Sequence, residues 1–336
     1  MEKSTAKTPL TAKNEPIDLI LRPKAWREYV GQEKIKRHLL IMLEAAKKRG
    51  ETCDHLLFYG QAGLGKTTLA HLVAEQLGAK LKVTAGPALE KMADLAGVLT
   101  NLEKGDILFI DEIHRLNRMI EEVLYPAMES RKLNIVVGKG PGARTLSLDL
   151  PAFTIVGATT RANLISAPLR SRFGASFRLD YYETPDIEAI INRSAGLLGL
   201  KIVPEGAAML ARASRATPRV ANRLLKRLRD YMEVHSIDCA DPATVKKTLD
   251  LLEIDERGLE LHDRLLLETI INKFKGGPVG VATLAAALND DRGIVEDVYE
   301  PYLLSIGFLK RTQSGRVATE AAYEHLGHDL YEKRSV

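Results

Sequence analysis

Eight consecutive residues, Gly60-Gln-Ala-Gly63-Leu-Gly65-Lys66-Thr67, have the spacing of a phosphate-binding loop. Glycines let backbone N–H groups wrap phosphate oxygens, Lys66 reaches the β- and γ-phosphates, and the Thr67 hydroxyl holds a metal ion. ATP and Mg²⁺ are therefore the cofactors this pattern predicts. Farther on, the apolar run Ile107-Leu-Phe-Ile110 ends in Asp111 and Glu112. Two acids delivered to the same edge supply a second metal ligand, Asp111, and a group, Glu112, that polarises an attacking water. A protein that only binds nucleotide has no need of the second acid, so hydrolysis is expected. A third apolar run ends in Thr159 and Thr160, where a hydroxyl can report the γ-phosphate; Thr159 is the first candidate and Thr160 the alternative. Arg170 and Arg172 in Ala-Pro-Leu-Arg-Ser-Arg-Phe-Gly offer planar donor forks to phosphate. An arginine finger donated by a neighbouring subunit requires a head-to-tail interface, and such interfaces close into rings.

These residues need a scaffold that gathers them. The runs His55–Gly60, Ile107–Ile110 and Phe153–Ala158 alternate with helical stretches, of which 32–48 is one, the rhythm of a parallel sheet with helices on both faces. In such sheets ligands bind at the carboxyl ends of the strands, which is where all three motifs fall. Between the second and third strands, residues 133–150 alternate around Gly-Pro-Gly and predict a projecting hairpin, a docking element or an ordinary pair of edge strands. After Pro185 strand signals cease. A helix near 219–231 carries Arg219, Arg223, Lys226, Arg227 and Arg229 beside an apolar stripe of Val220, Leu224, Leu225 and Leu228. From about 255 onward, three helices and a hairpin around Gln313-Ser-Gly315 describe a winged helix.

The expected organisation is a disordered arm over 1–16, an α/β nucleotide-binding domain over 17–183, an all-α lid over 184–254 and a winged helix over 255–336. At 336 residues, 45% hydrophobic and 27% charged, the chain is globular in composition, which excludes collagen-like, disulfide-scaffold and wholly disordered classes. No apolar run approaches the roughly 18 residues of a membrane span, and the opening residues lack the apolar core of a signal peptide, which predicts a cytoplasmic protein. Cys53 and Cys239 cannot build a disulfide framework, and Cys53-x-His55 lacks the further ligands of a zinc site.

Together, the phosphate loop, DEIHRLN, the GPGAR hairpin, GATTRA, PLRSRFG, ATPRVANRLLKR, KFKGGPVG and EPYLLSIGFLKRT resemble the RuvB family of AAA+ ATPases, from Leu21 to about Gly327. The resemblance implies an AAA+ core, a lid and a winged helix, and a bacterial motor that drives Holliday junction branch migration in recombination and repair. It implies a homo-hexameric ring on duplex DNA, working with RuvA through the hairpin 133–150 and with RuvC in a larger complex. Leu133, Ile135, Val137 and Leu146 are the implied RuvA contacts. Position by position, it implies nucleotide contacts from Leu21, Arg22, Gly63, Lys66, Thr67, Thr68, Glu129, Ser130, Arg131 and Tyr182. Arg172 is implied as the finger, Arg219 as a second sensor of the γ-phosphate, and Arg292, Arg311 and Arg316 as DNA contacts. The loop reads GQAGLGKT where the family carries two prolines after the first glycine; neither position is a phosphate ligand.

Net charge is only +4, and residues 257–336 hold ten Lys and Arg against twelve Asp and Glu, so any hold on DNA must be local. Arg311, Arg316 and Lys310 flank the turn of the wing, which predicts positive charge at its tip and contacts to phosphate rather than to base edges. A clamp-loader-like ATPase shares the core and lid but lacks a reason for the winged helix; a protein-remodelling ring, the other competing ATPase, is separated by whether duplex DNA stimulates its hydrolysis.

Overall fold

A computed structural model describes residues 16–137 and 144–328; the expected arm over 1–16 falls almost wholly outside the described residues, as does the tip of the 133–150 hairpin. The chain divides into two compact units, residues 1–186 and 187–336.

In the first unit, α1 (Ile17–Leu21) and α2 (Glu33–Arg49) lead into β1 (Leu56–Tyr59), α3 (Lys66–Leu77), β2 (Leu81–Ala85), α4 (Met92–Thr100), β3 (Ile107–Asp111) and α5 (Arg118–Ser130). The hairpin β4 (Lys132–Val137) and β5 (Arg144–Asp149) follows, then β6 (Thr154–Thr159), α6 (Ala167–Arg170) and β7 (Ala175–Arg178). Five strands form a parallel sheet in the order β2-β3-β6-β1-β7. Strands covered on both faces read as continuous apolar runs, and β6 is buried at every position. Helix ends follow local rules: Gly50 and Gly78 take left-handed backbone to cap α2 and α3, and Asn117 Oδ1 accepts from Ile120 N at 3.0 Å to start α5.

The hairpin pairs Leu133 with Leu148 and Ile135 with Leu146. Leu133 is wholly buried in the core beneath α5, so the expectation that it meets a partner is corrected; Ile135, partly buried, packs against the same core. Leu146 is half exposed.

In the second unit, α7 (Thr184–Leu198), α8 (Pro204–Arg212), α9 (Pro218–Val234) and α10 (Pro242–Leu251) precede α11 (Leu261–Glu268), α12 (Val281–Leu288), α13 (Arg292–Ile294), α14 (Glu300–Ser305), the wing strands β8 (Leu309–Thr312) and β9 (Gly315–Ala318), and α15 (Glu320–Leu326). The expected helix 291–305 is one helical run interrupted by a π turn over Val295–Tyr299. Pro301 gives the reason: its ring has no N–H and crowds the carbonyl four residues back, which widens the preceding turn. The KGGPVG break is not a simple linker, because Val279 and Arg316 exchange backbone hydrogen bonds of 3.0 and 2.8 Å and tie it to the wing.

Within this unit the helical and winged-helix segments are bolted together. Arg215 Nη1 lies 3.1 Å from the buried Asp263 Oδ2, and its guanidinium stacks 4.6 Å over the Tyr302 ring. Arg223 pairs with Glu260, and the Arg264 guanidinium donates to the Glu253 and Leu259 carbonyls.

Candidate nucleotide-hydrolysis site

β1 ends where the phosphate loop begins. Gly60 takes φ 142°, and a Cβ there would stand 2.4 Å from the Leu179 carbonyl oxygen, so only glycine fits between β1 and the chain leaving β7. α3 starts at Lys66, which presents the first-turn N–H groups and the half-buried Thr67 and Thr68 to the loop. Lys66 is buried and its Nζ donates to the Gly60 and Gln61 carbonyls at 2.8 Å each. Behind the loop, the Tyr182 hydroxyl stands 3.2 Å from that of Tyr29 and 3.3 Å from the Leu64 carbonyl. Burial pushes the Tyr182 hydroxyl pKa up to about 12, so it serves as a neutral hydrogen-bonding buttress. Leu21 is buried, and Arg22 contacts His71 on α3; burial and the neighbouring Arg22 charge hold His71 below its ordinary pKa.

β3 delivers Asp111 and Glu112. Asp111 Oδ1 accepts from Glu112 N at 3.0 Å, which fixes the carboxylate. Thr67 and Asp111 offer hard oxygen donors of the kind that suit Mg²⁺ completed by phosphate and water. Glu112 sits in left-handed backbone at φ 49°, a strained conformation for a residue with a side chain. Gly86, just past β2, makes that placement possible: a Cβ on it would lie 2.4 Å from the Glu112 carbonyl oxygen.

At the end of the third strand the two threonines point to different surroundings. Thr159 is fully buried; its Oγ1 stands 2.8 Å from His114 Nδ1 and accepts from Arg161 N at 2.9 Å. Thr160 faces the other way, its hydroxyl 3.5 Å from Glu112 Oε2, and it lines a cleft of about 210 Å³ with Tyr59, Gly60, Gln61 and Leu64. His114 Nδ1 also lies 3.4 Å from Glu112 Oε2, so the buried histidine side chain bridges Thr159 to Glu112. Burial, the largest influence, keeps the imidazole below its ordinary pKa.

Arg172 lies elsewhere. Its segment is anchored where Gly174 N donates to the His55 carbonyl at 2.9 Å, just before β1, whereas the phosphate loop follows β1. The guanidinium stacks 4.3 Å over Tyr125, donates to the Pro168 carbonyl at 2.6 Å and pairs with Glu129 at 3.0 Å. Tyr125 is held in turn by the buried Glu121, which also accepts from Ser166 at 2.6 Å. Arg131 reaches back to Thr52, and Ser130 donates to the Pro126 carbonyl. Glu129, Ser130 and Arg131 therefore share the edge of Arg172 at the opposite end of β1 from the loop. Any nucleotide contact of these three residues is therefore not with the phosphate loop of their own chain.

Three family models cover nearly the whole chain: the Holliday junction DNA helicase RuvB P-loop domain over residues 21–179, the RuvB AAA lid domain over 182–255 and the RuvB C-terminal winged helix domain over 256–327. The chain belongs to the RuvB family. It is similar to the solved structure of the Thermotoga maritima RuvB Holliday junction branch migration motor, at 48% identity and TM-score 0.85, over 93% of this chain and 99% of that one. An alanine-to-serine mutant of the Thermotoga maritima protein matches at TM-score 0.86 and an arginine-to-alanine mutant at 0.84, each at 48% identity over 92% of this chain and 99% of the other. As a RuvB-family member, the protein is a P-loop ATPase and a Holliday junction branch migration motor.

The RuvB lid carries Arg219, exposed in the first turn of α9 after Pro218. In the RuvB winged helix, Arg292 and Arg311 are exposed, but Arg316 is turned inward onto Glu300. The expectation of concentrated free charge at the wing tip is corrected accordingly. Among the described residues no helix is long and apolar enough to cross a membrane.

Proposed function

We propose that the protein works as a homo-hexameric ring on the duplex arms of a Holliday junction, hydrolysing Mg²⁺-ATP at the boundaries between subunits. The observation that carries this reading is the placement of Arg172 at one end of β1 and the phosphate loop at the other. A finger that cannot serve its own loop must serve a neighbour's, and repeating that contact head to tail closes a ring.

Lys66 and the loop N–H groups hold the β- and γ-phosphates, with Thr67 and Asp111 as the protein's ligands for Mg²⁺. Bound there, the ion neutralises charge on the phosphates. Glu112 orients and polarises the attacking water, and Thr160 reports the γ-phosphate to it. Arg172 and Glu129 approach the nucleotide of the adjoining subunit. Leu21, Arg22 and Tyr182 serve the base side, and Arg219 senses the γ-phosphate from the lid. Because Arg215 clamps Asp263 four positions before Arg219, lid and winged helix respond as one lever.

Arg292, Arg311 and Arg316 hold DNA through phosphate, without sequence preference. The stretch of the hairpin farther from α5, where Leu146 is half exposed, meets RuvA, and RuvC joins the same assembly on the junction. This reading puts the protein in a bacterial cytoplasm.

The test is ATP-driven dissociation of a synthetic four-way junction by the full chain, with and without RuvA, beside Lys66→Ala. Wild type is expected to move the junction and Lys66→Ala to fail. ATP turnover without junction movement, even with RuvA, would replace the motor reading with a clamp-loader-like or protein-remodelling one.

A further inference from the structure

Arg311 and Arg316 stand directly opposite one another on β8 and β9, an arrangement in which like charges repel. The fully buried Glu300 reconciles them: Arg316 reaches it through Nε at 2.7 Å and Nη2 at 3.3 Å, and Arg311 donates to it as well. One turn earlier, Glu296 accepts from Arg316 Nη2 at 3.2 Å and from Arg292 Nε and Nη2 at 3.2 and 3.3 Å. The π turn over Val295–Tyr299 lies between Arg292 and Glu300, and the shared bonds to Arg316 show that Glu296 and Glu300 face the wing together.

The two acids differ in access. Glu300 is sealed at 0% exposure, while the Glu296 side chain is 29% exposed and its partner Arg292 is 65% exposed. The hydrogen bond from Arg292, before any other influence, holds the Glu296 carboxyl below its ordinary pKa, so it is an anion at neutral pH. A guanidinium fork accepts a carboxylate or a phosphate in the same bidentate geometry.

The geometry points to Glu296 as a displaceable internal counter-ion: it holds Arg292 and Arg316 in a phosphate-ready fork and yields its place to a DNA phosphate. Glu300 stays in place as the anchor of the Arg311 and Arg316 pair. Exchanging one anion for another weakens each grip and releases fewer bulk counter-ions than a free arginine would, a property suited to a motor that must let go at every step. This inference rests on the DNA reading of the winged helix given above.

The test is equilibrium binding of the full chain to a short random duplex across a salt series, comparing wild type, Glu296→Gln and Glu324→Gln. Glu324 is an exposed acid on α15 and controls for net charge. Glu296→Gln is expected to bind about three- to tenfold more tightly near 0.1 M salt, with a salt slope steeper by about one, and Glu324→Gln to leave the slope unchanged. If Glu296→Gln fails to fold, Glu296→Asp, which keeps the charge but sets it one methylene back, is expected to shift both quantities the same way by less. Equal affinity and slope for the two Gln variants would overturn the proposal. Weaker binding by Glu296→Gln would overturn it too, because Glu296 would then only orient the arginines. Wild type that binds no duplex at any salt would instead remove the DNA reading on which the proposal stands.

Discussion

Arg172 Nη2 stands 3.0 Å from Glu129 Oε1, and both lie at the end of β1 remote from the phosphate loop of the same chain. Arg172→Ala should therefore bind ATP normally but lose about a thousandfold or more of its turnover. Mixing it with Lys66→Ala subunits, which cannot hydrolyse but keep the arginine, is expected to restore part of the rate in a steady-state ATPase assay. Arg172→Lys should restore little, since a point charge does not reproduce the fork. No recovery at any mixing ratio would mean that the arginine acts within its own subunit.

Gly86 sets the position of Glu112 by close approach to its carbonyl. Gly86→Ala is expected to keep nucleotide affinity and lower kcat at least about tenfold, since a displaced water-polarising group loses much of its effect. Glu112→Gln should lower kcat further, by about a hundredfold or more. The check is nucleotide titration beside turnover; a Gly86→Ala protein with unchanged kcat would contradict the packing argument.

The two threonines at the end of β6 should separate cleanly. Thr160→Val is expected to lose turnover while its unfolding midpoint stays near wild type. Thr159→Val leaves the buried His114 without its hydroxyl partner and should cost about 1–3 kcal/mol of stability. Denaturant unfolding and ATPase assays on both variants test the assignment.

The buried clamp between Arg215 and Asp263 predicts that Asp263→Ala destabilises the second unit by about 3–5 kcal/mol, because the guanidinium loses its carboxylate. Asp263→Asn keeps the shape and a hydrogen bond. It is expected to retain ATPase activity without DNA while losing stimulation by duplex, as measured in paired assays.

Acid should unfold the core through its histidines. His55 Nδ1 accepts from Ile155 N at 2.8 Å, which requires the neutral ring, and burial lowers its pKa below the ordinary 6.5. The unfolded chain then binds a proton that the folded one refuses, so stability is intact above about pH 6.5 and falls as pH drops below it. Each such histidine contributes up to about 1.4 kcal/mol per pH unit over that window. His55→Gln should flatten the slope of unfolding free energy against pH by about one proton.

The phosphate loop, the Asp111-Glu112 strand end and the helix near 219–231 are all legible because each is written locally, in spacing and periodicity. What escaped depends on contacts across the fold. Adjacent residues on a strand face opposite sides, but only the neighbouring strands decide that Thr159 points into the core and Thr160 toward Glu112. Leu133 alternates like any hairpin residue, and nothing local says that its face lies on α5. Glu129 to Arg131 end one helix, yet which end of the sheet that helix reaches is a matter of topology. The placements of His114, Tyr125, Gly86 and Glu296 depend on such contacts too, although a histidine two residues after Glu112 is a signal within reach of the sequence. The charge on Arg316 was plain, while its neutralisation by a buried acid sixteen residues earlier was not.

The order β2-β3-β6-β1-β7 sets the strand carrying Thr160 in the middle, with the acid strand on one side and the loop strand on the other. A central strand that is buried along its whole length and bonded on both flanks cannot slide or bow without breaking a close-packed interior. The sheet is thus an anvil rather than a spring. The work of each ATP must leave through parts hung on its rim, and stiffness at the centre keeps that work from being absorbed as elastic loss.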